Sequence, residues 1–131
     1  MKHSFAQSNV LVVDDDGEMR GEICAALTSD GYDVAEAPHG SRALSMARNG
    51  PVPGLVLLDL LMPEKDGWQV LWELRNDERF RSLPVVVMSA VPRDELHGAL
   101  VDGFLEKPFT RDDLLKVVRF FLPRQRDTGA E

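Results

Sequence analysis

Four places in this sequence carry side chains that could do chemistry together: Asp14-Asp15-Asp16, Asp59, Ser89 and Lys107. Carboxylates gathered at one point raise one another's pKa and destabilise the fold unless positive charge sits among them. Hard oxygen ligands in small number suit magnesium, so a metal site built from Asp14, Asp15 and Asp59 is the economical reading. Lys107 would bring a fixed positive charge and Ser89 a hydroxyl, and the two could hold the oxygens of a phosphoryl group carried by Asp59. Singly, none of these residues means much. An Asp after a strand is commonly a turn residue, a lone Ser hydroxyl usually bonds to backbone, and a lone Lys is usually solvated. Asp16, placed before Gly17-Glu18, suits a helix cap better than a ligand. The chemistry depends on whether the chain brings these residues together.

For them to meet, they must stand on the same rim of one sheet. Short runs rich in β-branched residues or Leu alternate with longer segments of helical period, the pattern of βα units around a parallel sheet. Five such pairs can be read. Asn9 to Val13 predicts the first strand, and Met19, Ile23, Ala26 and Leu27 predict a helix that stops at Asp30-Gly31. Tyr32 to Ala37 reads as the second strand; after Pro38-His39-Gly40, a helix carries Ala43, Leu44 and Ala47 and ends at Asn49-Gly50-Pro51. Leu55 to Leu58 is a continuous apolar run, as expected of a strand covered on both faces, and the helix after Asp66-Gly67 turns Val70, Leu71 and Leu74 inward. Pro84 to Met88 is the fourth strand and Phe104-Leu105 the core of a short fifth. Thr110 then caps a helix from Arg111 to Leu122, which Pro123 ends. In parallel α/β sheets ligands collect at the carboxyl ends of the strands. Four of the five strand ends here are the chemically loaded positions: Asp14-Asp15-Asp16, Asp59, Ser89, and the Lys107-Pro108 that follows the fifth strand.

With 131 residues, the chain has room for one domain with an ordinary core and none for a second catalytic or DNA-binding domain. Its net charge of -7 gives no electrostatic footprint for direct nucleic-acid binding. No apolar run approaches a membrane span and no signal-peptide pattern opens the chain, so a cytoplasmic location is expected. Residues 1–8 and 123–131 read as flexible ends of a domain spanning 9–122. The single cysteine, Cys24, lies in an apolar helical run and reads as inert packing. His3, His39 and His97 have no common ligand spacing, so no zinc site is indicated. Trp68 and Trp72 lie four apart and could share a helix face; packing is preferred to an aromatic patch for a partner.

From Val10 to Phe121 the sequence resembles the response-regulator receiver family of two-component signalling. The resemblance is carried by Val10-Leu-Val-Val-Asp14-Asp15-Asp16, Leu57-Leu58-Asp59-Leu60-Leu61-Met62-Pro63, Asp66-Gly67, Met88-Ser89-Ala90 and Glu106-Lys107-Pro108-Phe109. It implies a flavodoxin-like (βα)5 three-layer sandwich with strand order 2-1-3-4-5. It also implies that Asp59 is the phosphoacceptor, and that Asp15, Asp59 and the Leu61 carbonyl bind Mg2+ directly while Asp14 acts mainly through water. Ser89 and Lys107 would contact the phosphoryl group, and Phe104 would be the aromatic switch that moves with Ser89, although simple core packing also accounts for it. The phosphoryl group would come from a histidine kinase or histidine phosphotransfer protein, or from a small phosphodonor. Signalling would follow from a changed binding surface for a downstream protein that the sequence does not identify. In this family kinase contacts often involve the first helix, which points to Glu18 to Thr28.

The sequence departs from the family pattern in two respects. The interval from Ser89 to Lys107 is short, so the fourth helix should be shortened or absent, and that region usually forms the output face. Leu61 and Val91 are apolar where the family often carries polar side chains that assist attacking water, so slow loss of phosphate is expected. Three alternatives compete with a phosphorylated switch. An Asp-nucleophile, magnesium-dependent phosphatase would need a cap or pocket for which the chain has no spare segment. A receiver-like module that no longer takes phosphate, or a flavin binder sharing only the fold, sits poorly with the intact Asp14, Asp15, Asp59, Ser89 and Lys107. The chain reads as a stand-alone receiver or as one excised from a longer protein.

Overall fold

The computed structural model describes residues 9–62, 66–91 and 101–123. The expected flexible first eight residues, the tail from 124 to 131 and, except for Val101, the shortened fourth helix expected over Arg93 to Val101 lie outside them, as do Pro63, His3 and His97. Along the chain run β1 (Asn9–Val13), α1 (Gly17–Ser29), β2 (Asp33–Ala37), α2 (Gly40–Asn49), β3 (Leu55–Asp59), α3 (Gly67–Arg75), β4 (Val85–Ser89), β5 (Gly103–Glu106) and α4 (Arg111–Phe121). The strands form one sheet in the order β2-β1-β3-β4-β5, and every pairing is parallel.

Two apolar layers cover the sheet. One face packs Leu11, Val13, Val56, Leu58 and Val87 against Ala43, Leu44 and Ala47 of α2 and Val70, Leu71 and Leu74 of α3. The other packs Val10, Val12, Leu55, Leu57, Val86 and Met88 against Ile23, Ala26 and Leu27 of α1 and Leu114, Leu115 and Val118 of α4. Strands β3 and β4 are buried at every position, which is why they read as unbroken apolar runs. Each fully buried Leu or Val contributes roughly 1.5–3 kcal/mol, so these central strands form the rigid floor of whatever lies at their ends.

The helix starts are set by local hydrogen bonding. Asp16 caps α1, accepting from the Glu18 and Met19 N–H groups, and Asp66 caps α3 by accepting from Gln69. Thr110 and Asp113 form a reciprocal capping box at α4. His39 is locally bonded as the cap of α2, its Nδ1 accepting from Arg42 N–H. After α1, Gly31 takes a φ of +97°, a conformation glycine adopts at no steric cost. A bidentate ion pair from Arg119 to Asp30 at 2.7 and 2.9 Å, with a hydrogen bond from the Tyr32 hydroxyl to the Leu122 carbonyl, fastens α4 to the end of α1.

Cys24 is buried as expected, and burial first, then the Glu36 carboxylate, pushes its thiol up to about 11. The preferred packing of Trp68 and Trp72 is not what the structure shows: both are exposed, Trp72 by 66%. The inward stripe of α3 is already filled by Gly67, Val70, Leu71 and Leu74, which leaves positions 68 and 72 outside.

Candidate functional site

The sheet order places β1 beside β3 while β2 turns outward, so a cleft opens where the connections from β1 and β3 leave toward opposite faces. Register then decides which residues share it. Val13 pairs with Leu58, so Asp14 and Asp59 come level on neighbouring strands. Asp59 pairs with Met88, which puts Ser89 one step beyond it, and Ser89 pairs with Glu106, which puts Lys107 one step beyond that. The Lys107 N–H donates to the Ser89 carbonyl at 2.8 Å, and the next peptide bond, Lys107–Pro108, is cis.

Asp14, Asp15 and Asp59 each present a carboxylate oxygen within 4.8 Å of the others. Asp14 and Asp59 are buried, and Asp15 stands exposed at the rim. Lys107 Nζ lies 3.5 Å from both Asp14 Oδ2 and Asp59 Oδ1. Further N–H groups orient the acids: Asp16 N–H donates to Asp14 Oδ1 at 3.0 Å, and Leu61 N–H to Asp59 Oδ1 at 3.3 Å. Burial, and then the neighbouring Asp14 carboxylate, pushes the Asp59 carboxyl up to about 6, while Lys107 and the Leu61 N–H pull the other way. Ser89 is buried and its hydroxyl oxygen accepts from Val91 N–H at 3.0 Å.

Three carboxylates gather here with one ammonium against two of them, which leaves net negative charge, and every ligand atom in the set is a hard oxygen. That donor set fits a divalent cation of the magnesium type. Leu61 is 61% exposed and Val91 half-buried, and each meets the site through its main-chain N–H, Leu61 at Asp59 and Val91 at Ser89. Phe104 is half-buried and packs against the core layer shared with α2 and α3.

Two contributors were given no role at the site by the sequence. Gly67 lies against the backbone of Asp59 and Leu60, where a Cβ would come within 2.4 Å of the Asp59 carbonyl oxygen. The signal was present in Asp66-Gly67, but which backbone it approaches is a matter of tertiary geometry. Arg20, four residues after the Asp16 cap, donates from Nη1 to the Asp14 carbonyl at 2.7 Å and from Nε to Glu36 at 3.0 Å. Helical spacing alone does not reveal that contact.

The chain is thus a doubly wound α/β domain with a buried carboxylate pair, an exposed third acid and a lysine shared by the buried pair at its switch point. The sequence profile described as the response regulator receiver domain matches residues 10–119, and the chain belongs to that family. It is 38% identical over 131 residues to response regulator Rre1 of Synechocystis, an alignment covering 94% of this chain and 56% of that one. The chain spans about half the length of the first curated relatives it matches. Among solved structures it resembles chemotaxis protein CheY4 of Vibrio cholerae, with a TM-score of 0.81, 26% identity and coverage of 89% of this chain and 100% of that one. It also resembles response regulator TrrA of Thermotoga maritima in complex with Mg2+-BeF, with a TM-score of 0.79, 29% identity and coverage of 88% and 99%. Receiver domains are switches of two-component signalling rather than conventional enzymes. Among the described residues no helix is long and apolar enough to cross a membrane.

Proposed function

We propose that this chain is a phosphorylation-dependent switch that accepts a phosphoryl group on Asp59 from a histidine kinase or histidine phosphotransfer protein. The observation that carries this reading is the placement of Lys107 Nζ at 3.5 Å from Asp59 while it also faces the buried Asp14. A carboxylate oxygen of Asp59 forms the new bond to phosphorus as the donor's P–N bond, or the P–O bond of an acyl phosphate, breaks and its electron pair leaves with the donor. With its carboxyl titrating at about 6, Asp59 is mostly ionised at neutral pH and has the lone pair this attack needs. Lys107 and the Ser89 hydroxyl hold phosphoryl oxygens, and Leu61 N–H keeps the Asp59 carboxylate oriented. Asp15, Asp59 and the Leu61 carbonyl would hold Mg2+ directly and Asp14 through water; the bound ion would neutralise charge shared by the carboxylates and the phosphoryl group.

Phosphorylation adds charge between β3 and β4, where Ser89 hydroxyl, drawn from Val91 N–H toward the phosphate, frees space for Phe104 to move inward. That biases an existing equilibrium and alters the surface offered to a downstream protein partner in the cytoplasm. Beryllofluoride has the tetrahedral shape of a phosphoryl group and provides the test. In the presence of Mg2+ it should bind the wild type saturably, with a change in the fluorescence of Trp68, which directly follows Gly67 on α3. Asp59→Asn should give no such change. A wild type that ignores beryllofluoride plus Mg2+ would overturn the reading.

A further inference from the structure

Asp14 is held through its main chain on both sides. Its N–H donates to the Ala37 carbonyl at 3.2 Å, and its carbonyl accepts from Arg20 Nη1 at 2.7 Å. Arg20 is in turn held by Glu36, whose Oε1 accepts from Nε at 3.0 Å. The two anchors come from neighbouring residues at the end of β2, Glu36 and Ala37, so the edge strand braces the β1–α1 connection from outside the acidic pocket. The Asp14 carbonyl and the Asp15 nitrogen belong to one planar peptide unit. Fixing that carbonyl therefore fixes the direction in which the chain enters Asp15, the exposed member of the acidic set.

We propose that Arg20 is a positioning residue for the acidic pocket: through the Asp14 carbonyl, and held by Glu36, it sets the geometry with which Asp14 and Asp15 face Asp59. This inference rests on the reading of the three acids as a magnesium site. Arg20 touches none of the three carboxylates in the contacts described above, so it acts by orientation, as the outer partners of metal ligands do. Its ion pair with Glu36, itself half-exposed, contributes little to global stability by the usual behaviour of such pairs. Removing it should therefore be felt at the pocket more than in the fold.

The sign of the effect separates this role from simple electrostatics. Deleting a positive charge beside a cation site should strengthen cation binding on Coulombic grounds alone. Loss of a positioning contact should weaken it, by about tenfold or more, as is typical for outer partners of metal ligands. The experiment is calorimetric titration of the full chain with Mg2+ alone, with urea unfolding of each variant measured alongside. Arg20→Ala should bind Mg2+ about tenfold more weakly with its urea midpoint little changed. Arg20→Lys should recover part of the loss, because one ammonium can reach the carbonyl but cannot fork to Glu36 as well. Arg20→Met keeps the apolar stem but neither charge nor donor; it should weaken binding as Arg20→Ala does, and it remains informative if the alanine variant fails to fold. Folded Arg20→Ala that binds Mg2+ as tightly as the wild type, or more tightly, would overturn the proposal. A wild type that binds no Mg2+ would instead overturn the metal-site reading on which it rests.

Discussion

Asp59→Asn should stabilise the metal-free protein at neutral pH, although the residue replaced is the proposed phosphoacceptor. Asp59 is 5% exposed and shares its surroundings with the fully buried Asp14, so its carboxyl is raised from an ordinary 3.8 to about 6, even with Lys107 opposing the shift. One factor of ten in proton affinity corresponds to about 1.4 kcal/mol, so ionised Asp59 costs the fold about 3 kcal/mol relative to its protonated form. Asparagine is uncharged and nearly isosteric, and its oxygen can still accept from Leu61 N–H. Lys107 remains paired with Asp14. The sign follows from proton linkage: between pH 3.8 and about 6 the native wild type binds more protons at this site than the unfolded chain, so its stability falls as pH rises. The advantage of Asn should be near zero at pH 4 and reach about 3 kcal/mol above pH 7. Urea unfolding in a chelator at several pH values reads this as a midpoint shift of about 1–3 M at neutral pH, given a typical dependence of 1–3 kcal/mol per M. Groups remote from the pocket titrate alike in both proteins and cancel in the difference; Asp14, which interacts with Asp59, does not, and its easier ionisation in the variant adds to the advantage in the same direction. Mg2+ at about 100 times its Kd should return about 2.7 kcal/mol to the wild type and much less to the variant. An Asn variant no more stable than wild type at pH 7.5, or an advantage that grows toward pH 4, would refute the account of a strained carboxylate pair.

Lys107→Met removes the cation facing both buried acids, so apparent Asp59 titration should move above about 6, and metal-free stability at pH 7 should fall; NMR titration of the carboxyl carbon and urea unfolding would show both. Gly67→Ala puts a Cβ about 2.4 Å from the Asp59 carbonyl oxygen and should cost about 1–3 kcal/mol while slowing phosphorylation; equal stability by urea unfolding would mean the loop yields freely. Leu61→Asn replaces an apolar side chain beside the site with a polar one and should shorten the lifetime of the phosphorylated form, followed by its decay after removal of donor. A wild-type lifetime no longer than that of the variant would remove the water-screening argument.

Much of this architecture was legible because burial and period coincide. The expected range of β1 is the observed one, and the caps at Asp16 and Thr110 are where residue type placed them. Strand ends were shifted by one residue where tertiary pairing decides. Pro84 cannot donate, yet its carbonyl accepts from Val56, while β4 extends to Ser89 through pairing with Glu106. Tyr32 closes the end of α1 instead of joining β2. At the site, the loaded strand ends could be read directly, because a parallel sheet sends all its carboxyl ends to one rim. Gly67 and Arg20 could not, since each acts through a backbone atom distant in sequence. Trp68 and Trp72 misled because their mutual spacing of four says they share a face without saying which face.

Whether Asp59 takes the phosphoryl group is decided by intact-mass measurement and peptide mapping after incubation with a small phosphodonor, with and without Mg2+. One phosphoryl group should appear on the wild type, dependent on Mg2+ and confined to Asp59, and none on Asp59→Asn. A folded wild type that stays unmodified, or a label that persists in Asp59→Asn, would contradict this.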